Sequence, residues 1–154
     1  MVSTDWVEVC ISQERLVEPD TYLLVDPNGE KRLNVNLEKS LARAKVNRGR
    51  LLEGQAIYCT AGVHGGYDVC RRIAEANGGV CIQFRTPKRP ANAPDSEKMV
   101  LLSGDSSADR KLWFKFQSMA EGLHREWHIY RADWILDAAM HQLVDWDDKY
   151  KAEP

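Results

Sequence analysis

The sequence predicts an α/β fold with a small, four-stranded parallel sheet covered by helices on both faces. From Leu51 onward, short apolar segments alternate with amphipathic ones in the order strand, helix, strand, strand, helix, strand, helix. The apolar segments lack the regular polar alternation of half-buried strands, so we expect them to be buried on both sides. Glycine, proline and serine separate the segments at most boundaries, which favours several short elements over a few long ones.

The individual elements follow from this pattern. Strands are expected at residues 55–60, 80–84, 99–103 and 127–130, and helices at 67–77, 106–122 and 134–143. Gly78 and Gly79 end the first helix, Ser106 or Ser107 caps the second, Gly122 ends it, and Asp133 begins the third. Three prolines between residues 86 and 97 predict an irregular loop there.

The first 50 residues have a different organisation. A short helix is expected at residues 5–13, an extended piece at 22–25, and a tight turn at Asp26-Pro27-Asn28-Gly29. Asn36 could cap a further helix over 37–46, and its thin apolar stripe among charged residues indicates a linker. We therefore divide the chain into residues 1–25, a basic linker at 26–50, and a complete domain at 51–154.

The composition limits the classes of function. With 44% hydrophobic and 29% charged residues, no apolar run long enough to cross a bilayer and no signal-peptide pattern, the sequence is typical of a globular protein without a membrane partner. The cysteines lie in apolar segments and form no Cys-x-x-Cys pair, which favours free thiols in a reducing compartment over disulfides. Cysteines and histidines never fall at metal-ligand spacing, so neither metal nor cofactor is expected, and no catalytic triad pattern indicates an enzyme.

One pattern occurs twice. An apolar strand end leads through Asp-Trp into a helix, and an acidic stretch closing on Tyr follows, once around Trp6 and once around Trp134. The second copy has a full domain of sequence ahead of it, whereas the first has none. A Trp one turn into a helix between apolar neighbours is expected to anchor a core, the alternative being a surface Trp used for binding. We therefore expect Trp134 to be a core residue and the helix of Trp6 to have an uncovered face, which would dock on the later domain, pair with another copy or promote aggregation.

The Gly78-Gly79 pair, the helix-ending Gly122 and above all Trp134 resemble the motifs of a BRCT domain. This resemblance covers residues 51–150, and residues 2–24 resemble the last strand end, last helix and tail of a preceding BRCT repeat. The whole chain resembles the C-terminal part of a tandem BRCT pair, as in the multi-BRCT scaffolds of the fungal DNA-damage response. The resemblance implies a four-stranded parallel sheet with helices on both faces and a non-enzymatic scaffold in the nucleus.

The resemblance also implies a ligand. Many tandem BRCT pairs bind phosphoserine or phosphothreonine peptides, so the implied partner is a phosphorylated protein or histone tail. The family keeps its main phosphate pocket in the N-terminal repeat, which we expect this chain to lack. In the second repeat, Thr60 stands at the equivalent position, but Ala61 follows where the family has Gly, and Gly62 comes one position later. Lys111 and Lys115 lie on either side of the expected lysine position, which Phe114 occupies. Alternatively, Thr60 simply ends a strand and the lysines are a solvated helix face. The resemblance places the groove for the peptide residues that follow the phosphate at His64, Arg131 and Leu136. Ala132 stands where the family often has Arg.

Two other functions stay open at this point. The basic stretch carries Lys39, Arg43, Lys45, Arg48 and Arg50, which could contact DNA phosphates or be a solvated linker helix. The chain would then be a DNA-contacting or dimerising BRCT region of a repair or replication enzyme. Alternatively, it is a structural half that binds nothing alone.

Overall fold

The computed structural model describes residues 2–153 and divides the chain into two compact units, Met1–Val35 and Asn36–Pro154. The helices are α1 (Thr4–Ser12), α2 (Pro27–Leu33), α3 (Leu37–Asn47), α4 (Tyr67–Ala76), α5 (Ser107–Gly122) and α6 (Asp133–His141), and the strands are β1 (Ala56–Cys59), β2 (Val80–Gln83), β3 (Lys98–Leu102) and β4 (Glu126–Tyr130). Short 3₁₀ helices occupy Pro19–Tyr22 and Asp148–Tyr150. Among these helices, none is both long and apolar enough to cross a membrane.

The second unit contains a four-stranded parallel sheet in the order β2-β1-β3-β4, which confirms the predicted fold class. The central strands are buried along their length: all four residues of β1 and four of the five in β3 are shielded from solvent. A strand with apolar layers on both faces has no polar side to expose. The missing alternation in the sequence has this cause.

Each face of the sheet has its own apolar core. On one face, Ile57 and Val100 belong to a cluster that includes Cys70 of α4 and Trp134 of α6. On the other, Tyr58 packs with Phe116 of α5, their ring centroids 5.5 Å apart in an edge-on arrangement. The expected layering, with helices on both sides, therefore follows from the alternation of side chains along β1.

The glycines of the predicted motif serve different purposes. Gly78 has a φ of +79°, which disfavours any residue with a side chain. A Cβ there would also lie 2.9 Å from the Gly49 carbonyl oxygen, which is too close. A Cβ on Gly79 would lie 2.9 Å from Cβ of Leu52. Helix α5 ends at Gly122 as predicted, but no atom lies within 4 Å of a Cβ there, and His124 takes the left-handed conformation instead. Gly122 therefore marks the helix end without being required for it.

Helix α3 groups with the second unit, whereas its thin apolar stripe had indicated a linker. The Arg43 guanidinium donates to the His141 carbonyl oxygen at 3.1 Å, and the Asn47 amide donates to the Gln142 carbonyl oxygen at 2.9 Å. These side chains satisfy carbonyl groups at the carboxyl end of α6, which its own helix leaves without partners. Hydropathy does not register such polar packing, and for this reason the sequence analysis set the helix apart from the domain.

In the first unit, the expected turn at residues 26–29 is wrong. The Asp26 carboxylate accepts a hydrogen bond from the Gly29 amide at 2.9 Å, and Pro27 occupies the first helical position of α2. An Asp-Pro pair can begin either a turn or a helix, because in both the Asp side chain accepts a hydrogen bond from a backbone amide a few residues later. The seven-residue α2 therefore begins where a turn was expected.

The duplicated sequence pattern corresponds to duplicated hydrogen bonds. Trp6 Nε1 donates to the Val17 carbonyl oxygen at 2.8 Å, and Trp134 Nε1 donates to the Asp145 carbonyl oxygen at 2.7 Å. The backbone amides of Ser3 and Arg131 each donate at 2.8 Å to the carbonyl oxygen of a tyrosine, Tyr22 in the first copy and Tyr150 in the second. Every partner in the second copy is numbered 128 positions after its counterpart in the first. The two segments thus share one local structure.

Trp134 is a core residue, as expected. Its side chain is 1% exposed, and its ring centroid lies 5.4 Å from that of Trp146 and 5.9 Å from that of Tyr130. In the first unit, Val7 and Ile11 on α1 are exposed. Self-association through that helix stays a prediction.

Replacing Trp134 by Ala is expected to destabilise the domain by about 3–5 kcal/mol, since it removes a buried aromatic ring and leaves a cavity. The free energy of unfolding from urea titration measures the loss. Trp134→Phe, which keeps much of the packing but loses the bond to Asp145, is expected to lose less. Phe114→Ala is the control: this ring is 74% exposed, so its removal is expected to change stability by no more than about 0.5 kcal/mol. An equal loss in both Ala variants would contradict the assignment of Trp134 to the core.

Candidate functional site

An open cleft lies at the carboxyl edge of the sheet, where the segments following β1, β3 and β4 meet. It encloses about 370 Å³ and is lined by Gly62, His64, Ser103, Gly104, Asp105, Arg131, Ala132 and Asp133. In parallel α/β folds, ligands commonly bind at this edge, because the loops there are free of the sheet yet held by it. We therefore regard this cleft as the candidate functional site.

The charged groups in the cleft have mixed signs. Arg131 and His64 contribute cationic or hydrogen-bonding groups, and Asp105 and Asp133 contribute carboxylates. The Arg131 guanidinium donates to the Lys149 carbonyl oxygen at 2.9 Å, and its Nε lies 3.6 Å from an Asp133 carboxylate oxygen. Its side chain is nevertheless 51% exposed. The guanidinium is thus oriented by the tail while part of it faces solvent.

The amino end of α6 adjoins this guanidinium. Ala132 precedes the helix and supplies no capping side chain, so the first backbone amides have no side-chain acceptor. The Trp134 amide bonds only back to the Arg131 carbonyl oxygen, at 3.1 Å. Helix amino ends and guanidinium groups both favour acceptors such as carbonyls and carboxylates. The Ile135 and Leu136 amides already bond to the Ala132 carbonyl oxygen, so the half-exposed Arg131 guanidinium is the group in the cleft that is suited to a peptide carbonyl or a carboxylate.

Beside the cleft, a buried carboxylate occupies a set of anion donors. Asp109, 3% exposed in the first turn of α5, accepts from the Gly62 amide at 3.1 Å and from the Ser106 hydroxyl at 2.6 Å. The buried Thr60 hydroxyl also favours the ionised form of this carboxylate and lowers its pKa. Burial alone would raise the pKa of Asp109, but the hydrogen bonds from Ser106, Thr60 and Gly62 outweigh it and lower the pKa.

This carboxylate fills the position expected for phosphate. Thr60 is fully buried, and its hydroxyl oxygen also accepts from the Gly104 amide at 3.2 Å. A Cβ on Gly62 would overlap the Asp109 carboxylate, and a Cβ on Gly104 would overlap the Gly62 carbonyl oxygen. The loops after β1 and β3 are closed around Asp109. The expected phosphate pair of Thr60 and Gly62 exists, but its donors are already used.

The expected lysines do not join these donors. Lys111 and Lys115 are exposed on α5, and within residues 2–153 neither forms a hydrogen bond or ion pair. The structure therefore corrects the proposed phosphate site of Thr60, Gly62, Lys111 and Lys115. Its physical reason is that Asp109, turned inward on the same helix, supplies the negative charge that the donors require.

Two of the three residues predicted for the peptide groove lie together in the fold. His64 and Arg131 both line the cleft, although they are separated by most of the domain in sequence. Leu136, which was expected beside them, is half-buried on α6 and does not line it. Ala132 stands at the position where the family often has an Arg that contacts the peptide. In the fold, Ala132 is buried and Arg131 supplies the guanidinium.

The candidate DNA-contacting residues divide into two kinds. Arg43 bonds to the carboxyl end of α6, so its guanidinium already has a structural role. The other four side chains are exposed: Lys39, Lys45, Arg48 and Arg50. DNA binding by these residues stays a prediction, and Arg43 would have to combine it with its bond to α6.

Groups with catalytic or metal-binding potential were also located. Cys59, Cys70 and Cys81 are buried free thiols, while Cys10 is half-buried. Hydrogen bonds with Cys70 and Cys81, together with burial, raise the pKa of Cys59, which disfavours the reactive thiolate. In the part of the chain that the structure describes, no three His, Cys, Asp or Glu side chains converge on a metal position.

Two residues of this region, Asp109 and Gly104, are not among the predicted site residues. A signal was present for the first: Ser106-x-x-Asp109 has the spacing of a reciprocal helix cap, in which the residue three positions after the cap turns back toward it. The close approach of Gly62 and Gly104 has no local signal, because the two lie on loops far apart in sequence.

The lowered pKa of Asp109 predicts acid-sensitive stability. Because the pKa in the folded state lies below the unfolded value of about 3.9, the stabilising contribution is complete above that pH and is lost as the pH falls through the folded-state pKa. Asp109→Asn is expected to cost about 1–3 kcal/mol at neutral pH, because an amide NH₂ cannot accept from the surrounding donors.

Urea unfolding at a series of pH values between neutrality and the acid transition measures this effect. The difference between wild type and Asp109→Asn is expected to shrink as the pH falls. Asp105→Asn is the matched control, since Asp105 is exposed nearby, and little change is expected from it. A pH-independent difference for Asp109→Asn would contradict an ionised carboxylate at this position.

Comparison with known proteins gives relatives at the level of sequence. BRCT-containing protein 1 of Schizosaccharomyces pombe is 28% identical over 156 residues, covering 99% of this chain and 18% of that protein. Human mediator of DNA damage checkpoint protein 1 is 38% identical over 63 residues, covering 41% of this chain and 3% of that protein. The chain therefore spans less than a fifth of the length of either relative. No family model matches it.

Solved structures give a second comparison. The BRCT5-BRCT6 domains of S. pombe Brc1 match with a TM-score of 0.65 and 26% identity, over 94% of this chain and 68% of that one. A complex of Rtt107p with a phosphorylated histone matches with a TM-score of 0.50 and 17% identity, over 99% of this chain and 64% of that one. The four-stranded parallel sheet with its helices agrees with this likeness. The second unit therefore has the fold of a BRCT domain, and the chain is similar to the C-terminal part of a tandem BRCT pair.

Proposed function

We propose that this chain is a non-enzymatic interaction module that binds phosphoserine or phosphothreonine peptides as the C-terminal part of a tandem BRCT pair. The proposal rests on one observation. Arg131 lies at the rim of the cleft, whereas the hydrogen-bond donors beside the cleft are already bound to the Asp109 carboxylate. The cleft offers contacts for a peptide, whereas the donor set does not offer a place for phosphate. In this proposal, the phosphate binds to the preceding repeat and the cleft reads the residues that follow it.

The electrostatics support this division. A phosphate dianion beside the buried Asp109 carboxylate would place like charges together in a region of low dielectric constant, which is strongly unfavourable. The carboxylate would have to leave the bonds from Gly62, Thr60 and Ser106 first. A peptide carbonyl or terminal carboxylate at Arg131 meets no such conflict, because the guanidinium is half exposed and the amino end of α6 lies beside it.

The duplicated hydrogen bonds support a preceding repeat. The bond from Trp6 to Val17 and the bond from Ser3 to Tyr22 repeat those made by Trp134 and Arg131. We therefore propose that residues 1–25 are the end of that repeat, joined by residues 26–50 to the domain at 51–154. A longer protein that includes the whole repeat would carry the phosphate pocket.

The comparisons support a setting. One relative is named as a mediator of the DNA damage checkpoint, and one structural neighbour is a complex of Rtt107p with a phosphorylated histone. By analogy, we propose a phosphorylated protein or histone tail as the partner of this chain, the DNA-damage response as its process and the nucleus as its location. Direct contact between the exposed basic residues of α3 and DNA is the alternative, and it would weaken steeply with salt.

Titration of peptides against two proteins tests the proposal. The 154-residue chain and a longer natural protein containing the preceding repeat are each mixed with fluorescent peptides, phosphorylated and unphosphorylated, and anisotropy is recorded. Phosphate-dependent binding is expected for the longer protein and not for the 154-residue chain. If the added repeat brings no phosphate-dependent binding, the proposal fails. Binding of both peptides alike, with a steep salt dependence, would favour a nonspecific electrostatic interaction.

In the longer protein, Arg131→Ala is expected to weaken phosphopeptide binding about tenfold, equivalent to about 1.4 kcal/mol, by removing the donor at the cleft rim. Lys115→Ala is the matched control, because it also removes an exposed cation but lies on α5 outside the cleft. Anisotropy titrations at one ionic strength compare the two variants. Equal weakening by both would indicate a general charge effect and contradict a specific role for Arg131.

A further inference from the structure

We propose that Thr86 is a phosphorylation site for a proline-directed protein kinase that selects basic residues after the proline. The segment reads Thr86-Pro87-Lys88-Arg89, with the hydroxyl residue, the proline and two cations in succession. It is the only place in the sequence where Ser or Thr precedes Pro. The inference does not depend on the proposed peptide-binding function, because it concerns a loop outside the cleft.

The segment around Thr86 is accessible to an enzyme. Residues 86–89 are all exposed, and they lie in the irregular segment between β2, which ends at Gln83, and β3, which begins at Lys98. Within residues 2–153, the Thr86 hydroxyl has no hydrogen-bond partner. A kinase must reach the hydroxyl and hold its flanking backbone, and exposed loops of this kind permit both.

The backbone conformation around Thr86 suits a kinase cleft. A residue before proline is disfavoured in the helical region, so Pro87 biases Thr86 toward the extended backbone that an enzyme cleft can accept. The Lys88 amide bonds to the Thr86 carbonyl oxygen at 2.8 Å, closing a tight bend. This local bond is not part of a helix or a sheet ladder, so opening it disturbs no other element.

The charges that follow Pro87 can contribute to recognition by a kinase. Kinases distinguish substrates partly by the pattern of charges around the hydroxyl. Lys88 forms no ion pair in the described part of the chain, so its ammonium is free to meet an acidic group on an enzyme. Arg89 donates to the Ala93 carbonyl oxygen at 3.0 Å and lies 3.5 Å from Asp95, so it must exchange weak, exposed contacts for those of the kinase.

The reaction is an ordinary phosphoryl transfer with a nucleoside triphosphate as co-reactant. The Thr86 hydroxyl oxygen attacks the γ-phosphorus, the bond from that phosphorus to the β–γ bridging oxygen breaks, and the nucleoside diphosphate leaves. The hydroxyl proton passes to the carboxylate base of the kinase. The product carries a dianion beside Arg85, Lys88 and Arg89, where it can compete with Asp95 for the Arg89 guanidinium.

Incubation of the 154-residue chain with a purified cyclin-dependent kinase and ATP, followed by peptide mapping in a mass spectrometer, tests the site. One phosphoryl group per chain is expected, on Thr86. Thr86→Ala is expected to lose it entirely, and Pro87→Ala to reduce the initial rate at least about tenfold, while unchanged melting temperatures show that both variants fold. Lys88→Ala is expected to raise KM with a smaller change in kcat. Phosphorylation mainly at another residue would overturn the proposal.

A synthetic peptide of residues 82–93 separates sequence from structure. If the kinase modifies neither the peptide nor the chain, the segment lacks the required recognition features and the proposal is wrong. If the peptide is modified but the folded chain is not, Thr86 is inaccessible to the kinase in the folded protein and the proposal is also wrong. Comparable rates for the peptide and the chain would support an accessible site in the folded protein.

Discussion

The hydrogen bond from the Trp134 indole to the Asp145 carbonyl oxygen is the contact on which the candidate site depends. By fixing Asp145, it turns the tail back along β4, where the Arg131 amide bonds to the Tyr150 carbonyl oxygen. The Lys149 carbonyl oxygen then reaches the Arg131 guanidinium. A buried aromatic ring thus positions an exposed cation, and packing and binding cannot be altered independently at this edge.

Asp109 gives the second unit a permanent anion where a ligand anion could otherwise bind. Its carboxylate joins the loops after β1 and β3, so it stabilises the same edge that carries the cleft. In the proposed function, the filled donor set leaves phosphate binding to the preceding repeat. Arg131 is then the group of the second unit that would recognise main-chain or carboxylate groups.

The outline of the fold could be predicted from the sequence, because buried strands, capped helices and the Gly78-Gly79 stop are local patterns. The site could be predicted only in part. His64 and Arg131 were placed by resemblance, but the inward turn of Asp109 depends on donors from other segments, which no local pattern reveals. Helix α3 was misjudged for a related reason: Arg43 and Asn47 pack through polar bonds to α6, and hydropathy counts such residues as solvent-facing.

Helix α6 is held at both ends by bonds from outside itself. At its amino end, Arg131 is bonded to the tail, and at its carboxyl end Arg43 and Asn47 of α3 satisfy free carbonyl groups. A helix of nine residues has little stability of its own, so these terminal bonds and the Trp134 packing determine where it lies. The amino end of α6 borders the cleft, so the bonds from α3 help to fix an element that carries part of the candidate site. The basic helix that looked like a spacer is therefore part of the support of the site.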